Sequence, residues 1–233
     1  MVIPAVTAKQ MSAIDATLPA QLGLEPGVFV ENAGVALALA VKELLGTLRG
    51  KRVVILVGAG ENGADGVAAG RKLAAWGGRP TLLLAAERTS LKPQTLRELE
   101  RAEQYDLRIF EPGALLPPAD LVIDAIVGYR FAGPLRPPAS TLAESALRLR
   151  VPVLAVDVPS GLDATSGKAD VPIIRAEATV AIGYPKAGAV KPFAKNLIGR
   201  LFVADVGIPP RVWQHNDLPA PDFSSGPLVE LPL

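Results

Sequence analysis

The sequence predicts a three-layer α/β/α sandwich, Rossmann-like, with a mainly parallel sheet at its centre. Two observations lead to this prediction. Short apolar segments that read as strands alternate along the chain with segments of helical periodicity, an order typical of parallel sheets with helices on both faces. The first strand, at residues 52–57, has no polar face and is followed at once by Gly58, Gly60, Gly63 and a helix.

The predicted elements follow in order along the chain. Helices are expected at residues 8–21, 28–48, from Ala64 onward, 94–104 and 140–149, the last with Ser140 as its N-cap. Strands are expected at residues 52–57, 80–84, 106–110, 121–126, 151–156, 178–182 and 201–206. Prolines and glycines exclude regular structure at residues 128–138. We expect one domain at residues 1–216 and a proline-rich, extended or loose tail at residues 217–233.

The composition narrows the class of protein. The chain has 233 residues, of which 49% are hydrophobic and 20% charged, as in a folded globular protein. A net charge of +1 gives no indication of a nucleic-acid or membrane partner. The absence of cysteine excludes disulfides, thiolate metal sites and a cysteine nucleophile, and a single histidine, His215, argues against a Ser-His-Asp hydrolase. No membrane span or secretory signal is recognisable, so we expect a cytoplasmic protein.

Oxygen-bearing side chains follow three of the predicted strands. Asn62 and Asp65 follow the first strand, Asp124 lies near the end of the strand at 121–126, and Asp157 and Ser160 follow the strand at 151–156. The carboxyl ends of parallel strands lie on one edge of a sheet, so these residues are expected to converge. Together they would form a hard-oxygen pocket for a monovalent or alkaline-earth cation. Taken singly, each is equally well explained as a helix cap or turn residue.

The glycine-rich turn also satisfies the Gly-x-Gly-x-x-Gly pattern of nicotinamide dehydrogenases. Glu87 lies near the end of the second strand, where a ribose-binding acid would be expected. Two helices precede the first strand, however, and the turn carries more polar side chains than backbone contact with a pyrophosphate needs. The dehydrogenase hypothesis is therefore the weaker one.

The same turn, GAGENGADG, resembles the G-x-G-N-N-G-G-D-G loop of the NAD(P)H-hydrate epimerases, the YjeF N-terminal domain family. The resemblance continues in MSAID, VENAGVALA, DAIVGYRFAGPL, AVDVPSGLDATSG, ATVAIGYPKAG and VADVGIPP, and spans residues 11–210. It implies epimerisation of the R and S forms of hydrated NADH and NADPH, a reaction of nicotinamide nucleotide repair. It also implies a small-molecule nucleotide substrate, a K⁺ ion and a homodimer.

The resemblance assigns roles to individual residues. Potassium ligands would be Asn62, Asp124 and Ser160, and the substrate-contacting aspartate, which we also expect to be the catalytic acid–base group, would be Asp157. The substrate-binding residues of the two loops would be Glu61, Asn62, Gly63, Ala64, Asp65, Gly128, Tyr129, Arg130, Phe131, Ala132, Gly133 and Pro134.

Three positions depart from the family pattern. Glu61 stands where the family has asparagine, and Ala64 and Arg130 stand where it has glycine. A carboxylate at residue 61 would repel a phosphate or add a ligand to the cation, and Arg130 could offset it by reaching a phosphate. The alternative hypothesis is a non-catalytic nucleotide-binding module of the same fold.

Overall fold

A single eight-stranded sheet organises the chain. The structure, a computed structural model, describes residues 4–232, without the side chains of residues 19–22. The strands are β1 (Arg52–Val57), β2 (Arg79–Leu84), β3 (Arg108–Phe110), β4 (Leu121–Ala125), β5 (Val153–Val156), β6 (Ala178–Ile182), β7 (Arg200–Ala204) and β8 (Leu228–Leu231). Their order across the sheet is β3-β2-β1-β4-β5-β6-β7-β8, and all neighbours are parallel except β7 and β8. The predicted fold class is confirmed.

Helices cover both faces of the sheet. They are α1 (Ala8–Leu22), α2 (Pro26–Leu45), α3 (Glu61–Ala75), α4 (Pro93–Glu103), α5 (Ala139–Leu149), α6 (Lys195–Ile198) and α7 (Pro210–His215). The residues of β1 alternate between the two faces, as the strand period of two requires. Val53, Ile55 and Val57 pack with α1–α4, whereas Val54 and Leu56 pack with α5. Two apolar cores therefore sandwich the sheet.

The strand order reverses between β1 and β4. The chain first builds the sheet outward through β2 and β3, and then returns to the other side of β1 with β4. Such a switch point leaves a crevice beyond the carboxyl ends of the two strands, where ligands bind in open α/β sheets. In this chain the glycine-rich turn follows β1 and residues 126–130 follow β4, so both meet at the crevice.

Two local predictions are wrong. α3 begins at Glu61 and not at Ala64, so Asn62 and Gly63 already belong to the helix. Ser140 lies within α5, whose N-cap is Pro138, because the amide of Ser140 already donates to the carbonyl of Arg136. The tail, predicted as extended or loose, contains the extended strand β8, which pairs antiparallel with β7 and covers that edge of the sheet. The division at residue 216 stays a prediction.

Glu31 and Asn32, two polar residues near the start of α2, bind residues from other parts of the chain. Glu31 forms ion pairs with Arg71 and with Lys72 of α3, and Arg71 also pairs with the buried Glu98 of α4, Nη2 to Oε2 2.6 Å. Asn32 donates its side-chain amide to the carbonyl of Val206, 3.0 Å away.

Across residues 4–232, no helix is both long and apolar enough to cross a bilayer.

Candidate functional site

A cavity of about 640 Å³ opens at the switch point. Its walls come from α1, α2, the first turns of α3, α4 and α5, and the segments that follow β1, β2, β4, β5, β6 and β7. Several of the predicted site residues line it, namely Glu61, Asn62, Asp65, Gly128, Tyr129, Arg130, Phe131 and Asp157. The structure therefore brings together side chains that are up to 96 positions apart, from Glu61 to Asp157.

Gly58 allows the turn after β1 to pack against the loop after β4, and Gly63 allows the turn itself to close. A Cβ atom on Gly58 would lie 1.7 Å from the carbonyl oxygen of Ile126, and one on Gly63 would lie 2.1 Å from the carbonyl oxygen of Gly58. A side chain at residue 58 would separate the two loops, and one at residue 63 would open the turn. The close approach directs the N-terminus of α3, with its free N–H groups, toward the cavity, where an anion is favoured.

Asn62 ties α3 to two neighbouring strand ends. Its Nδ2 atom donates to the carbonyl oxygens of Val127, at 2.9 Å, and Val156, at 3.1 Å. Asp65, three residues later and on the same side of the helix, is buried at the cavity wall. Burial, and next the negative charge of Asp157, raise the pKa of Asp65 well above its usual range. The cavity therefore has a carboxyl group that resists ionisation.

Asp157 forms a buried ion pair with Lys186. The side chains are 4% and 1% exposed, and the Lys186 ammonium contacts Oδ1 of Asp157. Lys186 Nζ also donates to the carbonyl oxygens of Ile182 and Tyr184, each at 2.9 Å, and lies 5.6 Å from the centre of the Tyr129 ring. All three of its protons are thus engaged.

Backbone amides complete the surroundings of the Asp157 carboxylate. The N–H of Tyr129 donates to Oδ2 at 3.0 Å, and the N–H of Ile182 donates to Oδ1 at 3.3 Å. Asp157 itself has φ of +70°, a left-handed conformation that aspartate tolerates better than most residues. A strained backbone held by the strands on either side is a frequent feature of functional sites.

Asp124 and Ser160 lie behind the cavity wall, fully buried. The Ser160 hydroxyl donates to Oδ1 of Asp124 at 2.7 Å, and the Ser160 amide donates to Oδ2 at 2.8 Å. Burial raises the pKa of Asp124 to about 6, although these hydrogen bonds lower it. The pair links the end of β4 to the loop after β5.

The chemistry of these oxygens fits a cation such as K⁺. The region offers one carboxylate (Asp124), one hydroxyl (Ser160) and the carbonyls of Val127 and Val156 that Asn62 contacts. Within residues 4–232, no group of three or more acidic or histidine side chains is suited to a metal. A site with one carboxylate and otherwise neutral oxygens is closer to the carbonyl-rich sites of K⁺ than to the multi-carboxylate sites of Ca²⁺.

A polar network crosses the rim of the cavity. Tyr129 donates its hydroxyl to Oδ2 of Asp15 at 2.6 Å, and Arg130 donates to the same oxygen at 3.0 Å and to the Tyr129 hydroxyl at 2.7 Å. Arg130 Nη1 also donates to Oε2 of Glu61 at 2.7 Å. Burial and the nearby Asp15 carboxylate raise the pKa of Tyr129, which keeps its proton. Two of the three departures from the family pattern therefore contact each other.

Five predicted substrate residues do not line the cavity. Gly63 packs against the backbone of Gly58, and Ala64 is fully buried in a small apolar cluster with Ala68 of the same helix and Val30 of α2. Ala64 is therefore accommodated without narrowing the cavity. The others, Ala132, Gly133 and Pro134, run away from it along the surface after β4.

Sequence reasoning missed three charged residues of the cavity: Asp15, Lys92 and Lys186. Asp15 and Lys186 lie in two of the matched motifs, MSAID and ATVAIGYPKAG, but neither was assigned a role. Lys186 follows the apolar strand β6 by four residues, and this place beyond a strand end was an available signal, because ligands of parallel sheets bind there. Lys92 had no signal in the sequence.

Comparison with known proteins identifies the family of this chain. Residues 26–188 match the family described as YjeF-related protein N-terminus. A protein of Dehalogenimonas lykanthroporepellens named NAD(P)H-hydrate epimerase is 34% identical over 236 residues, covering 98% of this chain and 93% of that protein. One of the same name from Leuconostoc gelidum subsp. gasicomitatum is 32% identical, covering 94% and 93%.

Two further similarities define the extent of the relationship. A bifunctional NAD(P)H-hydrate repair enzyme Nnr of Hyperthermus butylicus is 34% identical over 88% of this chain, which spans only 39% of that enzyme's length. The crystal structure of the yeast protein ynu0 has a TM-score of 0.84 and 24% identity, covering 98% of this chain and all of that one, and supports the fold. The match covers most of the chain, and the chain therefore belongs to the YjeF-related protein N-terminus family.

Proposed function

We propose that this protein is an NAD(P)H-hydrate epimerase, an isomerase that interconverts the R and S forms of hydrated NADH and NADPH. Relatives that carry this name align over more than nine-tenths of the chain. The observation that carries the proposal is the buried Asp157–Lys186 pair at the wall of a cavity large enough for a ring and its phosphates. The non-catalytic alternative is not favoured.

The reaction needs no redox step. The hydrate bears a hydroxyl on the ring carbon next to the ring nitrogen. If the hydroxyl leaves as water, the ring becomes a cation delocalised onto nitrogen, and water can return to either face. If the ring carbon–nitrogen bond opens instead, the hydroxyl loses its proton to become a carbonyl, the nitrogen gains a proton, and closure on the other face inverts the centre.

Asp157 is the acid–base group in either route. In the first route, its acid form gives a proton to the departing hydroxyl, and the resulting carboxylate stabilises the ring cation and takes a proton from the returning water. In the second, it takes the proton of the hydroxyl as the carbon–nitrogen bond opens. Lys186 and the amides of Tyr129 and Ile182 fix the carboxylate in place. General acid–base catalysis of this kind contributes about 10²–10⁴-fold in rate.

The remaining residues position the nucleotide. The N-terminus of α3 favours a phosphate, and Phe131 and Tyr129 supply apolar surface at the cavity wall. We further propose a K⁺ ion held by Asn62, Asp124 and Ser160, whose positive charge would organise the phosphates. The homodimer and the cytoplasmic location implied by the family resemblance stay predictions.

The test is an equilibration assay with one purified epimer of hydrated NADH. We expect the wild-type chain to convert it to the mixture of epimers, and the Asp157→Asn variant to lose at least 100-fold in rate, on the order of one general acid–base contribution. Asp170→Asn is the matched control, since the Asp170 side chain forms an ion pair with Lys168 and lies outside the cavity.

The outcomes separate the hypotheses. A wild-type chain that binds NADH but leaves the pure epimer unchanged would favour the non-catalytic module. Full activity of Asp157→Asn would remove Asp157 from the acid–base role. Running the assay in potassium chloride and in choline chloride of the same ionic strength tests whether the reaction depends on the proposed K⁺ ion.

A further inference from the structure

Three cationic side chains line the cavity within the described part of the chain: Lys92, Arg130 and Lys186. Lys186 is fully buried and its protons are engaged by Asp157 and two carbonyls. The side chains of Lys92 and Arg130, by contrast, are 53% and 42% exposed at the rim. A ligand that brings negative charge into the cavity therefore meets these two first.

Both rim cations contact the same carboxylate. Arg130 Nη1 lies 2.7 Å from Oε2 of Glu61, and Lys92 Nζ lies 3.8 Å from Oε1. Glu61 is also the first residue of α3, where the helix dipole favours an anion. The carboxylate thus occupies a position between two cations and beside a helix N-terminus, which are the surroundings that suit a phosphate.

We propose that Arg130 and Lys92 bind a phosphate of the nucleotide and that the Glu61 carboxylate holds this position until the nucleotide displaces it. The inference rests on the proposed function, which names a dinucleotide as the substrate. It assigns a role to the two charged residues, Glu61 and Arg130, by which this chain departs from its family pattern. Glu61 is then an internal competitor of the substrate.

The contacts of Arg130 permit such an exchange. Apart from Glu61, the guanidinium donates to Asp15 and to the Tyr129 hydroxyl, which keep it at the rim when Glu61 leaves. The Glu61 side chain is half exposed, and ion pairs of exposed side chains contribute little to stability. A phosphate offers the guanidinium two acceptor oxygens at once, a geometry that arginine binds more strongly.

The test is calorimetric titration with ADP-ribose, which carries a diphosphate but no nicotinamide ring. We expect Glu61→Gln to bind ADP-ribose about 3–10-fold more tightly than the wild type, and Arg130→Gln to bind it about 10-fold more weakly, as for loss of one charge-assisted contact. Lys92→Gln should weaken binding less, because its contact is longer. Raising the salt concentration should reduce all three differences.

Two controls separate the effect of removing the carboxylate at residue 61 from the effect of changing the overall charge of the protein. Glu144→Gln makes the same change of charge on α5, where Glu144 has only an exposed ion pair with Arg148 at 3.9 Å, and should leave the affinity unchanged. Adenosine, which has no phosphate, should bind Glu61→Gln and wild type equally. In the Glu61→Gln/Arg130→Gln double variant, the gain in ADP-ribose affinity from Glu61→Gln should be smaller than in the single variant. The reason is that Arg130, the main cation of the phosphate position, is absent.

The proposal is overturned if Glu61→Gln binds ADP-ribose no more tightly than wild type, if adenosine gains equally, or if ADP-ribose binds neither protein. These results are independent of turnover. Tighter binding by Glu61→Gln in a chain that does not interconvert epimers would refute the proposed function alone. An active wild-type enzyme whose Glu61→Gln variant shows no gain would refute this inference alone.

Discussion

Replacing Lys186 by methionine should destabilise the protein strongly. Methionine is similar in length but removes the ammonium group, so Asp157, 3% exposed, would keep only the amide hydrogen bonds of Tyr129 and Ile182. Breaking a buried ion pair from one side leaves an uncompensated charge in a low-dielectric environment. The perturbation therefore acts through the carboxylate that remains and not through lost volume.

The expected loss in the free energy of unfolding follows from the burial of both Asp157 and Lys186. Removing one member of a buried pair lowers the free energy of unfolding by about 3–5 kcal/mol, a large part of the roughly 5–15 kcal/mol of a typical domain. Asp157→Asn should also be destabilising, because the buried Lys186 ammonium would lose its anionic partner and keep only neutral oxygen acceptors. The double variant removes both charges, so its loss should be smaller than the sum of the two single losses.

Urea unfolding at pH 7, followed by circular dichroism, measures these differences. Lys168→Met is the matched control, since the Lys168 side chain is 73% exposed, and its effect should stay within about 0.5 kcal/mol. A loss of less than about 1 kcal/mol for Lys186→Met, or single losses that add in the double variant, would show that the Asp157–Lys186 pair does not stabilise the fold in this way.

Three further predictions concern packing, charge and the cation. Gly58→Ala should lower the free energy of unfolding by at least about 3 kcal/mol, because its Cβ would meet the Ile126 carbonyl. Gly60→Ala has open space around the new Cβ and should change the stability little. Thermal unfolding compares the two variants. Asp120 has its pKa lowered to about 2 by Arg52, so the pair stabilises the fold above the ordinary pKa of 3.8 and loses this effect as pH falls toward 2. The stability gap between wild type and Asp120→Asn should accordingly close over that pH range, and a gap that persists at pH 2 would contradict it. Potassium chloride should raise the melting temperature relative to choline chloride, by mass action, and this increment should be absent in Asp124→Asn.

Much of the fold could be predicted from local patterns. The apolar runs at β1, β4, β5 and β6 are buried on both faces of the sheet. Short continuous apolar runs of this kind are typical of strands in parallel sheets. The errors lie at element ends and in the last part of the chain. The pairing of β8 with β7 depends on which edge of the sheet is open, and no local sequence signal reports that.

The candidate site was predicted unevenly for the same physical reason. Asn62, Asp65, Asp124, Asp157 and Ser160 were found because strand ends of a parallel sheet share one edge. Whether a residue then lines the cavity depends on the course of the loop. Residues 132–134 continue the same motif but turn away from the cavity, and nothing in their composition distinguishes them from their neighbours.

Local patterns of residues are enough to predict how strands and helices follow one another along the chain, where glycines permit the close approach at β1, and which polar residues lie at the strand ends. The partners of those polar residues depend on the tertiary fold. Lys186 meets Asp157, and Arg130 meets Glu61 across 69 residues, because sheet order and loop direction place them together. Contacts between residues remote in the chain depend on the positions of all the elements between them, and local propensity does not encode those positions.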